Sequence, residues 1–398
     1  MNLAINNLNI KILNKEVQNF INTNLKSDIT KLVLKGSPFT TVSIKEIAEQ
    51  ITSKSKCEKK LPKWFNTENI YYPNKLSIEQ ASSEKTAKFK ANLVSGKNLI
   101  DITGGFGVDA LYFSQIFETV THCETNSDLS AIVTHNLQKF NVHNITTYLG
   151  DGIEYALKYT KKIDWIYADS SRRNLDRRKV FLLEACEPNI PKYIDSLLNI
   201  SNNILLKFSP MLDIASTIKE LKNVKEIHVV AVENEVKELL FLIKKNYLQP
   251  INIQTINFNK NITQEFNFSL FEEATATFSE PKKYLYEPNS AILKSGGFNQ
   301  VSKIYKIAKL HQHTHLYTAD NLIDFPGRNF KILDSIRFDK KLLNKLLPSN
   351  KANIATRNFP LTVSQIREKT KIKDGGNKYL FFVTNILNKH IILICDKV

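Results

Sequence analysis

Cysteine, glycine and methionine are scarce in these 398 residues, at four, twelve and two. Cys57, Cys123, Cys186 and Cys395 lie far apart with no Cys-x-x-Cys. That spacing excludes a disulfide framework and a zinc knuckle and points to a reducing, cytoplasmic setting. Long hydrophobic runs are missing too: stretches such as Leu239–Ile243 are far too short to span a bilayer. Residues 1–20 mix Lys and Glu with Leu and Ile in no cleavable signal pattern, so no membrane is expected. Internal repeats and low-complexity tracts are absent. A composition of 42% apolar and 24% charged residues excludes a wholly disordered or collagen-like chain. What is there is a chain too long for one hydrophobic core, and about two to four domains are expected.

Positive charge is plentiful and uneven. The net charge is +16, and residues 301–398 alone hold 18 Lys and Arg against 7 Asp and Glu. Clustered cations of this kind suit a nucleic acid, because they release counterions from phosphate. A chain rich in Lys, Asn and Ile also uses Lys as its default solvated residue. That background explains the amount of charge better than its position.

Hydrophobic spacing predicts a helical N-terminal region over residues 1–60, broken at Gly36-Ser37-Pro38, and a helix over 77–94 with Ser77 and Gln80 as a capping pair. From Asn98 the pattern becomes strand, turn, helix, repeated. Strands are expected at Asn98–Ile102, Thr119–Cys123, Ile145–Leu149, Ile163–Ala168 and Asn203–Phe208, with helices at 108–117, 127–139, 152–160 and 178–200. This alternation means parallel βαβ units. Ile227–Glu233 and Val236–Lys244, joined by Asn234-Glu235, read as a late antiparallel hairpin. Residues 331–398 read as a small α+β module.

The strongest motif is Asp101-Ile-Thr103-Gly104-Gly105-Phe-Gly107-Val-Asp109, a strand that enters a glycine turn and leaves as a helix. Gly105-x-Gly107-x-x-Ala110 also fits a dinucleotide fingerprint. Asp101 discriminates. A carboxylate there suits the ammonium group of S-adenosylmethionine, whereas a pyrophosphate would be repelled. Glu124 ends the second strand, where an acid accepts ribose hydroxyls in either cofactor class. Asp151 ends the third, where an acid can accept from an adenine amino group. Ser82 and Ser83, with Thr86, put hydroxyls on one face of a helix placed to cover that cofactor. These features and the order of elements resemble class I S-adenosylmethionine-dependent methyltransferases.

The fourth strand ends Asp169-Ser170-Ser171-Arg172-Arg173. In an open α/β sheet this loop faces the ligand, and Asp169 and Arg172 are the candidate catalytic residues. Arg172 and Arg173 are candidates for gripping a substrate phosphate, since guanidinium forks match it, and Lys207 at the end of the fifth strand for lining the acceptor side. Amino-directed methyltransferases often carry prolines where Ser170 and Ser171 stand. Cys186 has acidic neighbours and reads as a packing residue. His311-x-His313-x-His315 would share one strand face, but nothing nearby completes a ligand set, so no metal is expected.

Longer stretches resemble a bacterial family, class I methyltransferases with a C-terminal THUMP-like domain. They are Lys60–Trp64, Ser77–Lys88, Asp101–Asp109, Asp169–Arg173, Asn234–Leu239, Tyr284–Asn289, His315–Tyr317, Phe325–Arg328, Ala352–Pro360 and Lys371–Gly376. The resemblance implies an α/β fold with a Rossmann-like core, a mostly parallel sheet ending in an antiparallel hairpin. It implies four parts: a helical region over 1–90, the S-adenosylmethionine-dependent domain over 91–265, a ferredoxin-like domain over 266–325 and a THUMP-like domain over 326–398. THUMP domains bind RNA, so the implied substrate is structured RNA (tRNA or rRNA), with Arg357, Lys371 and Lys373 placed to touch it. An NAD-dependent oxidoreductase is the alternative from another class, raised by the glycine spacing and opposed by Asp101 and the hairpin. A non-catalytic RNA-binding protein is a third, raised by Ser170 and Ser171.

Overall fold

Asp28, Ser43 and Asn74 each end an extended stretch and start a helix, because each side chain accepts from N–H groups that a first helical turn leaves unpaired. In this computed structural model, which describes residues 8–172, 183, 186–260 and 262–398, the N-terminal helices are α1 (Lys15–Thr23), α2 (Ile29–Lys35), α3 (Ile44–Lys60), α4 (Pro62–Asn66), α5 (Lys75–Gln80) and α6 (Glu84–Asn92). Gly36 ends α2 at φ 78°. The helix expected over 77–94 is two helices. Asn74, not Ser77, caps α5, and Ser83 adopts an extended backbone and caps α6. Helical spacing runs through both, so periodicity alone could not show the break.

The chain divides into two units: residues up to 224 with 241–248, and residues 225–240 with 249–398. The first unit continues with β1 (Asn98–Asp101), α7 (Val108–Phe113), β2 (Thr119–Glu124), α8 (Ser127–Lys139), β3 (Ile145–Leu149), α9 (Gly152–Lys158), β4 (Trp165–Asp169), β5 (Ser171–Arg172), β6 (Cys186–Glu187), α10 (Ile190–Ile200), β7 (Asn203–Phe208) and α11 (Ile214–Glu220). The order β7–β4–β1–β2–β3 is parallel throughout. Leu99, Ile100, Ile166 and Ile204–Leu206 are buried, as strands covered on both faces should be. The chain leaves β1 toward β2 and β3, then returns to β4 on the other side. That reversal opens a crevice at the carboxyl ends of β1 and β4. The N-terminal helices are fastened to this core. Asn136 of α8 donates to and accepts from the Tyr71 backbone, both at 2.9 Å, and Trp64 packs on Phe140 at 4.9 Å. The helix expected over 178–200 is described only as α10; residues 173–182, 184 and 185 lie outside the described residues, and Cys186–Glu187 pairs with β5 instead.

The second unit holds β8 (Val224–Val232, from Lys225) and β9 (Glu235–Lys244, to Leu240), which form the expected hairpin. Its turn is Glu233-Asn234, one residue early, and both residues take left-handed φ, 50° and 61°, as a two-residue turn requires. β10 (Asn252–Phe258) lies parallel to β8, and β11 (Thr263–Ser269) antiparallel to β10. Then come β12 (Tyr284–Pro288), α12 (Ser290–Ser295), α13 (Phe298–Tyr305), β13 (Ala308–Lys309), β14 (Tyr317–Ala319), β15 (Gly327–Arg337), α14 (Lys340–Leu346), β16 (Asn353–Arg357), α15 (Val363–Thr370), β17 (Lys378–Thr384) and β18 (His390–Lys397). Their sheet runs β13–β14–β12–β15–β18–β17–β16. Alternate residues of β17 feed different cores. Leu380 and Phe382 join α14 and α15 through Leu343 and Ile366, while Phe381 and Val383 join Leu285 and Phe330. Both faces are covered, which is why the strand reads as continuously apolar. The histidine triplet is not on a strand. Thr314 N–H closes a turn on the His311 carbonyl at 3.3 Å, and β14 starts only at Tyr317.

Candidate active site

β1 delivers Asp101 to the crevice, and the next six residues turn back on themselves. Gly104 N–H donates to the Cys123 carbonyl at 2.7 Å and Gly107 N–H to the Gly104 carbonyl at 3.1 Å. Two glycines are required by space. A Cβ on Gly104 would lie 2.3 Å from His122 Nε2. Gly107, at φ 73°, would put one 2.8 Å from Val133 Cγ1. The turn is pinned to β2, because Gly105 N–H donates to Glu124 Oε2 at 2.9 Å. A cavity of about 460 Å³ opens above it, lined by Ser82, Asp101 through Gly105, Asp109, Glu124, Asp151, Tyr167 and Asp169, among others.

Two of the acids lining this cavity are paired with lysines. Asp169 forms an ion pair with Lys207 on the neighbouring strand β7. Asp109 lies 3.2 Å from the fully buried Lys90 ammonium, and its Oδ2 accepts from Ser82 at 2.8 Å and Tyr167 at 2.7 Å. Asp101 is 1% exposed and, among the described residues, has no ion pair. Its Oδ1 accepts from Thr103 N–H at 3.0 Å, while its Oδ2 is buried without a hydrogen bond. The two buried acids diverge accordingly. Burial drives the Asp101 carboxyl well above the ordinary range, and the nearby Asp109 and Asp169 add to this. Burial alone would raise Asp109 too, but Lys90, Lys207, Tyr167 and Ser82 outweigh it and hold that carboxyl low. A buried acid with one oxygen left without a hydrogen bond is chemically suited to a cation.

Residues 284–326 match a family of ferredoxin-like domains, and residues 327–397 a THUMP domain-like family. A crystal structure of a candidate methyltransferase from Porphyromonas gingivalis W83 aligns with 98% of this chain and 98% of its own, at 30% sequence identity and a TM-score of 0.87. The chain belongs to that family of methyltransferases with a THUMP-like C-terminal domain. Two further structures, both with S-adenosylhomocysteine bound, are SMU.1697c of Streptococcus mutans and TrmK of M. capricolum. The first has 15% identity over 40% of this chain and 96% of its own, and the second 15% over 44% and 70%; both have TM-scores of 0.31, too low to bear on function. No curated protein matches the chain.

In this methyltransferase, Asp101, Thr103, Gly104, Gly105, Glu124, Asp151, Ser82 and Asp169 come together around one cavity. Other expected residues do not line it. Gly107 is the residue that starts α7. Ser83 is turned to α6, where it accepts from Thr86 N–H at 3.2 Å. Lys207 is paired with Asp169. Asp151 lines the cavity and also caps α9, accepting from Glu154 N–H at 2.9 Å. The Arg172 side chain and all of Arg173 lie outside the described residues. Arg357, Lys371 and Lys373 belong to the second unit, the two lysines exposed and Arg357 bound to Glu287.

Sequence reasoning missed Asp109, Tyr167 and Lys90. Asp109 stood inside the quoted glycine motif; Lys90, eight residues after Ser82, carried no signal that it would be buried. Lysine as a default solvated residue also fails at Lys54, which is 8% exposed, donates to Asn22 at 2.8 Å and lies 5.7 Å from the Phe65 ring centre. Ser170 has a local explanation. Its N–H donates to the Lys207 carbonyl and its hydroxyl to the Pro188 carbonyl, each at 3.2 Å. A proline there, with neither N–H nor hydroxyl, would remove both bonds. Among the described residues, no group of three His, Cys, Asp or Glu is placed to hold a metal, and no helix is long and apolar enough to cross a membrane.

Proposed function

We propose that the chain uses S-adenosylmethionine to methylate a nucleotide of structured RNA. The observation that carries the cofactor is the open, buried Oδ2 of Asp101. It asks for a cation, and the methionine part of this cofactor ends in an ammonium group. The glycine turn leaves room for the backbone to approach a nucleoside. In this reading Glu124 at the end of β2 takes the ribose hydroxyls, Asp151 the adenine amino group, and Ser82, between α5 and α6, the methionine end. The same Asp101 opposes NAD, whose pyrophosphate would meet a carboxylate instead of the bare helix N-terminus it favours.

When bound, the cofactor supplies an electrophilic methyl group on a sulfonium. The chain's own residues then have to align an acceptor and place charge around it. Asp169 accepts a hydrogen bond from the acceptor's amine or hydroxyl, and Lys207 holds the carboxylate in aim. Thr103 couples the two acids, since its hydroxyl accepts from Asp169 N–H at 2.6 Å and points to Asp101 Oδ1 at 3.4 Å. RNA as acceptor is supported by the THUMP-like match and by the charge excess over residues 301–398.

Asp101→Asn keeps the shape and removes the charge. A charge-assisted contact is worth about 1.5–3 kcal/mol, so its Kd for S-adenosylhomocysteine should rise roughly tenfold to a hundredfold in calorimetric titration. In the unchanged protein, affinity should weaken as the pH falls through the raised Asp101 pKa, because only the carboxylate pairs with ammonium. Tighter binding of NAD, or an unaltered Kd in the variant, contradicts the cofactor assignment.

A further inference from the structure

Four motifs quoted above take no part in the cavity, and the second unit brings them to one place. Glu287 comes from Tyr284–Asn289, Arg328 from Phe325–Arg328, Arg357 from Ala352–Pro360 and His315 from His315–Tyr317. Glu287 and Arg328 are register partners on β12 and β15, and Arg328 Nε donates to Glu287 Oε2 at 2.6 Å. Arg357 ends β16, four places from β12 in the sheet, about 19 Å away if the sheet were flat. Its Nη2 nevertheless donates to Glu287 Oε1 at 2.7 Å. The sheet therefore curls until the end of its edge strand meets β12.

One arginine neutralises one carboxylate; two leave positive charge over. Glu287 is 4% exposed at its side chain, but Arg328 and Arg357 are 42% and 35% exposed. Arg328 spends Nε and Nη2 on Glu287, and Arg357 spends Nη2 there and Nη1 on the Thr356 carbonyl. Among the described residues, Arg328 Nη1 and Arg357 Nε have no partner, so donors from both guanidinium groups stay open. His315 lies near enough to feel the Arg357 charge but stays neutral itself. His315 is pushed down to about 4 by burial, then by Lys309, His313 and Arg357. Asn358, next to Arg357, is itself held by His311 at 3.1 Å.

We propose that Arg328 and Arg357 form a clamp for a single backbone phosphate of the RNA, aimed by the buried Glu287. This deepens the RNA reading above and rests on it. Planar forks suit a tetrahedral oxyanion in a way that the exposed Lys371 and Lys373, as point charges, do not.

The test measures binding of bulk tRNA by the full chain across a salt series. Glu287→Gln, Arg328→Gln and Arg357→Gln are combined, so that no unpaired charge is left buried. The slope of log affinity against log salt should flatten by about 0.7–0.9, the share of one phosphate. Affinity at low salt should fall roughly tenfold. A second variant, Arg328→Lys with Arg357→Lys, keeps both charges. It should retain the slope and still bind several-fold more weakly, because the forks are gone. A folded triple variant with the wild-type slope, or a lysine pair with wild-type affinity, makes the cluster a staple between strands and overturns the clamp while leaving the RNA reading intact. No tRNA affinity in the unaltered protein is a different result, and it removes both.

Discussion

Asp169→Ala should lower single-turnover methyl transfer at least a hundredfold to a thousandfold, the cost of removing one polar group aimed at the reacting centre. Cofactor affinity should stay within a few-fold. The two effects separate because the substitution removes only the side chain. Its backbone N–H, which ties β4 to Thr103, survives the substitution. Asp169→Asn keeps one acceptor oxygen and the shape beside Lys207, so it should retain more activity than alanine. Transfer that persists in the alanine variant would mean that Asp169 only anchors Lys207.

The second large effect lies in the fold. Lys90→Met strands the Asp109 carboxylate in a site where it is 8% exposed. Removing one member of a buried pair costs about 3–5 kcal/mol, because the other charge stays buried. In the unchanged protein the Asp109 carboxyl is held below its ordinary value, so its contribution is full above the unfolded pKa and lost as the pH falls through the folded one. In Lys90→Met burial wins and that carboxyl rises. The variant should then gain stability on acidification through the raised value. Adding Asp109→Asn, which still accepts from Ser82 and Tyr167, should recover most of the loss. Urea midpoints of the two variants decide it. A cost under about 1 kcal/mol for Lys90→Met would show that the pair carries little of the fold.

The parallel core was legible because its signals are local. β1, β2, β3 and β7 fall within a residue or two of the runs read as strands, and the glycine turn is spelled out between Asp101 and Asp109. Asp101, Glu124 and Asp169 were legible for the same reason, since each ends a strand, and Asp151 follows one closely. What escaped depended on distance in sequence. Asn98–Asp101 says nothing of Lys90 folding under the crevice, and nothing in Ser82-Ser83 tells which hydroxyl will cap α6 and which will face the cavity. The histidine triplet shows the converse error. Alternation suggested a strand, but Thr314 packs its hydroxyl on the Thr384 carbonyl at 2.6 Å and the segment is a turn. Glu287, Arg328 and Arg357 lie in three separate motifs, and only the curl of the sheet joins them.

The central claim is methyl transfer from S-adenosylmethionine to RNA. Its most direct measurement incubates the protein with methyl-labelled S-adenosylmethionine and total RNA from cells that lack it, beside RNA from cells that have it. Label should enter a single kind of nucleoside in the first RNA and little or none in the second, where the position is already methylated. No label in either RNA, or equal label in both, would contradict the account.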